Sequence, residues 1–190
     1  MTNRKRKSDT DYLRPYYEKY WNSIGNHLKD LDLRSKAIRP FLPENLSGKI
    51  LDFGCGKGEV LSEIAILNPS AKVLGIDISQ TALKLAKKNV PMGEFMEITE
   101  SNRIPIESRS IDFIIANDVV EHVYDSEWMF NEFSRMLKKD GLILISTPYC
   151  GLIKNLLISL IGFELVYDPF GPHIRYYTRK SLENCLNLIG

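Results

Sequence analysis

The fold turns on "ILDFGCGKGEV", residues 50–60, in which an apolar run ends in an acid, Asp52, and glycines follow at every second position: Gly54, Gly56 and Gly58. An apolar run, a glycine bend and a renewed helical period predict strand, turn and helix in that order. Glycine is needed where φ becomes positive or where the backbone must approach a ligand with no Cβ between them. The turn is therefore expected to carry a ligand. A dinucleotide turn reads GxGxxG, and Glu59 stands where its third glycine belongs. A carboxylate there would repel a pyrophosphate at a helix N-terminus.

On either side the pattern changes at Lys49. Before it, "DYLRPYYEKYW" and "HLKDLDLRSKAIRPFL" read as helices and turns closing at Pro40 and Pro43, a helical cap over residues 1–45. After it, short apolar runs alternate with helical periods through residues 46–190. "KILDF", "KVLGID", "EFMEI", "IDFIIAN" and "LILIST" read as strands. "EVLSEIAIL" is a helix stopping at Asn68 and Pro69, and a second begins with Ser79 as N-cap and runs to Asn89. A third carries Met129, Phe133, Met136 and Leu137, with Lys138, Lys139 and Gly141 as its closing signals. "IDFIIAN" is apolar throughout, as a strand covered on both faces must be. Alternation of this kind selects an α/β sheet with right-handed crossovers, whose ligands sit beyond the carboxyl ends of the strands.

At 190 residues and 44% hydrophobic content, the chain has the size of one domain. Its net charge of +1 gives no overall field for nucleic acid or an acidic membrane. Arg4, Lys5, Arg6 and Lys7 read as a solvated tail. Cys55, Cys150 and Cys185 are odd in number and widely spaced, which suggests neither disulfides nor a zinc cluster and fits a reducing cytoplasm. "GLIKNLLISLIGF", residues 151–163, is too short to span a bilayer and carries Lys154 and Asn155. It reads as a core or lid helix, with an interfacial helix touching lipid as the alternative.

The GxGxG turn with its leading acid resembles motif I of class I S-adenosylmethionine-dependent methyltransferases. That resemblance implies a loop, Asp52, Gly54, Cys55, Gly56 and Gly58, passing under the methionine part of the cofactor, with the acid holding its amino group. The cofactor brings an ammonium and a sulfonium and no phosphates, so an acid is welcome. Asp77, followed by Ile78, closes the second strand and suits a ribose diol, unless it only caps the next helix. "ITESNRIPIESRSID" resembles the family's adenine-contacting segment, with Glu100 and then Ser101 at the contact and Thr99 in place of the family's glycine. "NDVVEHV", beginning at Asn117, and "STP" extend the likeness to the small-molecule branch that includes ubiquinone-pathway O-methyltransferases. It runs from about Lys49 to Ser181. The family's Rossmann-like sheet normally ends in two further strands after a helix like "TRKSLENCLNLIG", whereas this chain ends at Gly190. Either the chain is a truncated form or another chain, such as a second copy, completes the sheet edge.

For the acceptor, expected to be a small molecule attacked at a hydroxyl, the informative stretch is "DVVEH". On a helix, Asp118, Glu121 and His122 would share one face, and His173 follows in "GPHIRYYTRKSL". The set resembles the divalent-metal site of small-RNA 3′-terminal 2′-O-methyltransferases and, in part, metal-assisted ubiquinone-pathway enzymes. Three uses stay open: a metal site, a pocket histidine acting as base, or a purely structural pair. An RNA ribose acceptor and a non-catalytic cofactor-binding subunit are the alternative functions; the near-neutral charge speaks against RNA. Tyr12, Tyr16, Tyr17, Tyr20 and Trp21 form either a lid or a packing face.

Overall fold

Leu51 is buried on one side of the sheet and Ile50 on the other, because side chains alternate along a strand and both faces here are covered. A computed structural model describes residues 9–23, 36–98, 103–149, 151–163 and 171–187. The basic cluster at residues 4–7, Cys150, Glu100 and Ser101 lie outside them. In chain order the elements are α1 Asp9–Ser23, β1 Lys49–Phe53, α2 Glu59–Leu67, β2 Lys72–Asp77, α3 Gln80–Asn89, β3 Glu94–Glu97, β4 Ile111–Asn117, α4 Ser126–Met136, β5 Leu137–Ser146, α5 Leu152–Ile161 and α6 Arg179–Asn187. Short 3-10 turns stand at Arg39–Phe41 and Val120–His122.

The strands form one parallel sheet in the order β3-β2-β1-β4-β5. Strand order reverses between β1 and β4, where Leu51 pairs with Ile114, so the crevice for a ligand opens beyond those two strand ends. On one face α2 supplies Val60, Leu61 and Ile64 to a core with Ile50, Phe113 and Ile115. On the other, α4 supplies Met129, Phe130, Phe133 and Met136 against Leu51, Ile111 and Ile114. Fully burying each of these large side chains contributes about 1.5–3 kcal/mol. Ser79 caps α3 as its sequence predicts, its side chain accepting from the Ala82 amide at 3.1 Å.

Two expectations are corrected. Lys138, Lys139 and Gly141 do not close the helix: α4 ends at Met136, and Leu137 is already extended and paired with Ile111. Lys138 instead reaches Asp112 at 2.8 Å, and the register shift between Ile111 and Phe113 takes up the residues before Leu142. The stretch at 151–163 is not a core helix, since α5 has no buried residue.

Candidate functional site

The glycine turn has the backbone its spacing demands. Gly54, Gly56 and Gly58 have φ of 74°, 51° and 80°, the left-handed region that side chains disfavour. At Gly56 a Cβ would also meet the Trp21 indole at 2.7 Å, so the α1 aromatic lies directly on the turn. Gly58 is the N-cap of α2, packs against Ala86 and is outside the cavity lining.

Beyond the carboxyl ends of β1, β2 and β4 lies a cavity of about 320 Å³. Asp52, Gly54, Cys55, Gly56, Asp77, Ile78, Asn117 and Asp118 line one part of it. Asp77 holds the turn: its Oδ2 accepts from the Gly56 amide and its Oδ1 from the Ser79 amide, each at 2.9 Å. Helix capping is the work of Ser79, and Asp77 faces the cavity. Burial pushes the Asp77 carboxyl up to about 6, tempered by the amides of Ser79, Gly56 and Ile78. Asp52, only 2% exposed, is pushed up to about 7, by burial first and the Asp77 charge second. Burial likewise raises the Cys55 thiol, which excludes it as a ready nucleophile. Two buried carboxyls, with no ion pair to either among the described residues, form a place for a cation.

The rest of the cavity is aromatic. Tyr16, Tyr17, Tyr20 and Trp21 of α1 reach in, along with Tyr124, Trp128, His122 and His173. Tyr17 stands edge-on to His122, with ring centres 6.0 Å apart. Its hydroxyl is held well above the ordinary phenol range by burial, with Tyr16, Asp77 and Glu121 adding. Lys57 also lines the space, but its ammonium pairs with Glu59 at 2.9 Å.

Val120–His122 is a 3-10 turn rather than the α-helix expected for "DVVEH", and Asp118 before it has a left-handed φ of 50°. The turn breaks the shared face. Asp118 lines the cavity, while Glu121, His122 and His173 form a separate group in which one ligand atom from each lies within 4.8 Å of the others. His122 Nδ1 donates to the Pro172 carbonyl at 2.8 Å, leaving Nε2 as the unprotonated nitrogen of the neutral ring. Nε2 is 3.8 Å from Glu121 Oε1, and the His122 and His173 rings stack at 4.7 Å. Both Glu121 oxygens are buried without a partner at hydrogen-bonding geometry. Burial raises the Glu121 carboxyl and Asp118 adds to the rise, although Thr147 stands close enough to temper it.

Two polar residues carry no sequence signal yet place α1 over the cavity. Glu18 accepts from the Gln80 amide and the Thr81 hydroxyl at 2.6 Å each, capping α3 from another helix. Arg14 pairs with Glu97 at the end of β3, at 2.8 Å.

Among curated proteins, the ubiquinone biosynthesis O-methyltransferase of Pelagibacter ubique is 32% identical over 161 residues, 78% of this chain and 60% of that protein. The ubiquinone/menaquinone biosynthesis C-methyltransferase UbiE of Campylobacter jejuni is 30% identical over 70% of this chain and 59% of its own length. The chain thus spans about three-fifths of the curated relatives it matches. Among solved structures, an S-adenosylmethionine-dependent methyltransferase from Thermotoga maritima superposes with a TM-score of 0.68 at 19% identity, covering 96% of this chain and 80% of that one. The methyltransferase-domain family matches residues 27–190, and with the sheet order and the glycine turn in agreement, this chain belongs to that family.

Proposed function

We propose that the domain transfers a methyl group from S-adenosylmethionine to a hydroxyl of a small, uncharged aromatic acceptor. The observation that carries the reading is the pair of buried acids at the ends of β1 and β2, with Asp77 clamping the Gly56 amide beneath a cavity whose one lysine among the described lining residues, Lys57, is already paired with Glu59. When bound, the cofactor supplies a methyl carbon made electrophilic by a positive sulfur. Asp52 would hold its ammonium, an ion pair that draws the raised carboxyl back to its charged form. Asp77 would take ribose hydroxyls on the lone pairs its two amide bonds leave. Ile78 and Asn117, which line the same space, would flank the nucleoside, and the resemblance assigns Glu100 and Ser101 to the adenine.

At the acceptor end, Tyr16, Tyr17, Tyr124 and Trp128 line the space with aromatic surface, and the only lysine among the described lining residues is already paired. Anionic acceptors are therefore poorly served. His122 Nε2 takes the acceptor proton, its ring fixed by the Pro172 carbonyl and its charged form supported by Glu121. One curated relative is named for carbon methylation and another for oxygen, so the hydroxyl reading rests on the tautomer that the Pro172 carbonyl sets at His122, with Nε2 unprotonated, rather than on kinship.

Calorimetry with S-adenosylmethionine tests the cofactor site. Binding is expected in the wild type and should vanish in Asp77→Ala combined with Gly56→Val, with circular dichroism confirming that the variant is folded. Equal binding by both proteins would refute the site.

One observation favours a metal-assisted form of the same transfer: a carboxylate and two imidazoles with converging ligand atoms, one imidazole fixed through its other nitrogen. Glu121, His122 and His173 would hold a divalent ion, which would lower the pKa of the attacked hydroxyl. Chelation by EDTA followed by manganese or magnesium separates the two forms. Loss and restoration of turnover support the ion; unchanged turnover leaves His122 as the base.

A further inference from the structure

We propose that α5 is a bilayer-docking helix that seats the domain on a lipid surface with the open end of the sheet nearby. Leu152, Ile153, Leu156, Leu157, Leu160 and Ile161 occupy one half of the helix circumference without a polar interruption. A helix packed on a domain turns such a face inward. Here it faces water, with Leu152 and Ile161 each 84% exposed and Leu160 71%. The opposite half carries Lys154, Asn155, Ile158 and Ser159, and only Asn155 and Ile158 among the helix residues are partly covered. The helix therefore meets the protein through Asn155 and Ile158 on that side, not through its apolar half.

Size and charge select the occupant. A helix of ten residues is about 15 Å long and about 10 Å wide, so its face covers on the order of 150 Å², far below the roughly 800 Å² per partner of a stable dimer. Bilayer insertion has no such threshold, because its strength grows with each apolar side chain buried. Residues 151–163 contain no acid and one lysine, and an acid on this segment would be penalised at an anionic headgroup layer. Lys154 sits on the polar half and donates to the Tyr149 carbonyl at 3.3 Å, which places its charge beside the headgroups rather than in the apolar layer. Exposed Tyr149 flanks the helix at one end, as amphipathic rings do at the level of a membrane interface, and exposed Phe163 adds apolar surface at the other.

Position links this face to the cavity. α5 leaves the sheet just after β5 at Ser146, at the carboxyl end where the cavity opens. Tyr149 bridges to Tyr177 in the segment that carries Pro172 and His173 into the lining. A domain resting on α5 would hold its cavity close to the lipid and could draw an apolar acceptor from it.

The test is co-sedimentation of the full chain with vesicles of phosphatidylcholine and phosphatidylglycerol. The wild type should sediment with them. Leu156→Glu combined with Leu160→Glu should lower the partition coefficient about tenfold or more, since it puts two charges into the apolar face. Neither side chain is buried, so the thermal midpoint and cofactor binding should hold. A second readout is independent of that variant: Leu157→Trp should show an emission blue shift and quenching by brominated lipid when vesicles are added. Wild-type protein left in the supernatant, equal sedimentation of the double variant, or unshifted emission from the Leu157→Trp protein would each overturn the proposal. So would a dimer that the double variant dissociates with no vesicle binding, which would assign the face to a second copy.

Discussion

Asp52 and Asp77 make the cofactor-free domain acid-preferring. Both carboxyls ordinarily titrate near 3.8 in an unfolded chain but are held at about 7 and about 6 in the fold, by burial first in each case. Over that window the folded state binds more protons than the unfolded state, so stability falls as pH rises. This contribution is fully present below about pH 4 and is lost as pH passes through about 6 to 7. Glu132 and Asp112 behave oppositely: hydrogen bonds and ion pairs hold them low against partial burial, and their contribution is lost as pH falls through their depressed values. Calorimetry should show the cofactor-free melting temperature falling from about pH 5 to about pH 7.5, with Asp52→Asn flattening the slope. S-adenosylmethionine binding should strengthen over the same range, because the ammonium is matched by carboxylates that are charged beforehand. A melting temperature that rises over this range would show that the acids are not buried as described. His122→Ala should lower kcat about a hundredfold while leaving cofactor affinity within about twofold, as loss of a proton acceptor predicts. An unchanged kcat would move the base elsewhere.

At the scale of elements, α1 is held to the rest by contacts that are few and polar at its surface and aromatic beneath. Replacing Glu18 and Arg14 together with Gln should weaken cofactor binding about fivefold to tenfold while costing about 1–2 kcal/mol of stability, because these contacts are only partly shielded from solvent. If α1 is instead part of the structural frame, melting temperature falls and affinity does not. The loop from Arg103 to Ser110 depends on a stronger fastening: Glu132 accepts from the Ile104 amide at 2.7 Å and from Arg135, which in turn donates to the carbonyls of Ile104 and Ile106. Glu132→Ala should cost about 2–3 kcal/mol by chemical denaturation, since it strands the Ile104 amide and removes the counter-charge of the guanidinium.

The strands and the glycine turn were legible in the sequence because their signals are local: apolar runs, an acid, glycines at fixed spacing. Ser79 as a cap was legible for the same reason. The end of α4 was not. Lysines and a glycine after an apolar stripe look like a helix terminus, and only the pairing of Leu137 with Ile111 decides otherwise. Glu18 could not be found, since its partners lie at Gln80 and Thr81, and an acid on an exposed helix names no partner. Asp118 failed to join Glu121 and His122 because the helix expected there is a 3-10 turn entered through a left-handed residue.

For the whole molecule, the two sides of the sheet are finished differently. β3 ends under α1, through Arg14 and Glu97, whereas β5 stands at the opposite edge with Leu142 largely exposed. Among the described residues no strand lies beyond β5, and such an edge offers its backbone groups to another strand. Sedimentation velocity should therefore show association that grows with concentration, and Leu142→Lys should reduce it without lowering the melting temperature.

The strand order has a further consequence, for biosynthesis. β1 is flanked by β2 on one side and by β4 on the other, and β4 is translated only after α2, β2, α3 and β3. While the nascent chain emerges, β1 therefore waits with the backbone of one flank unpaired until β4 arrives, and Leu51 on its face waits longer still, for α4.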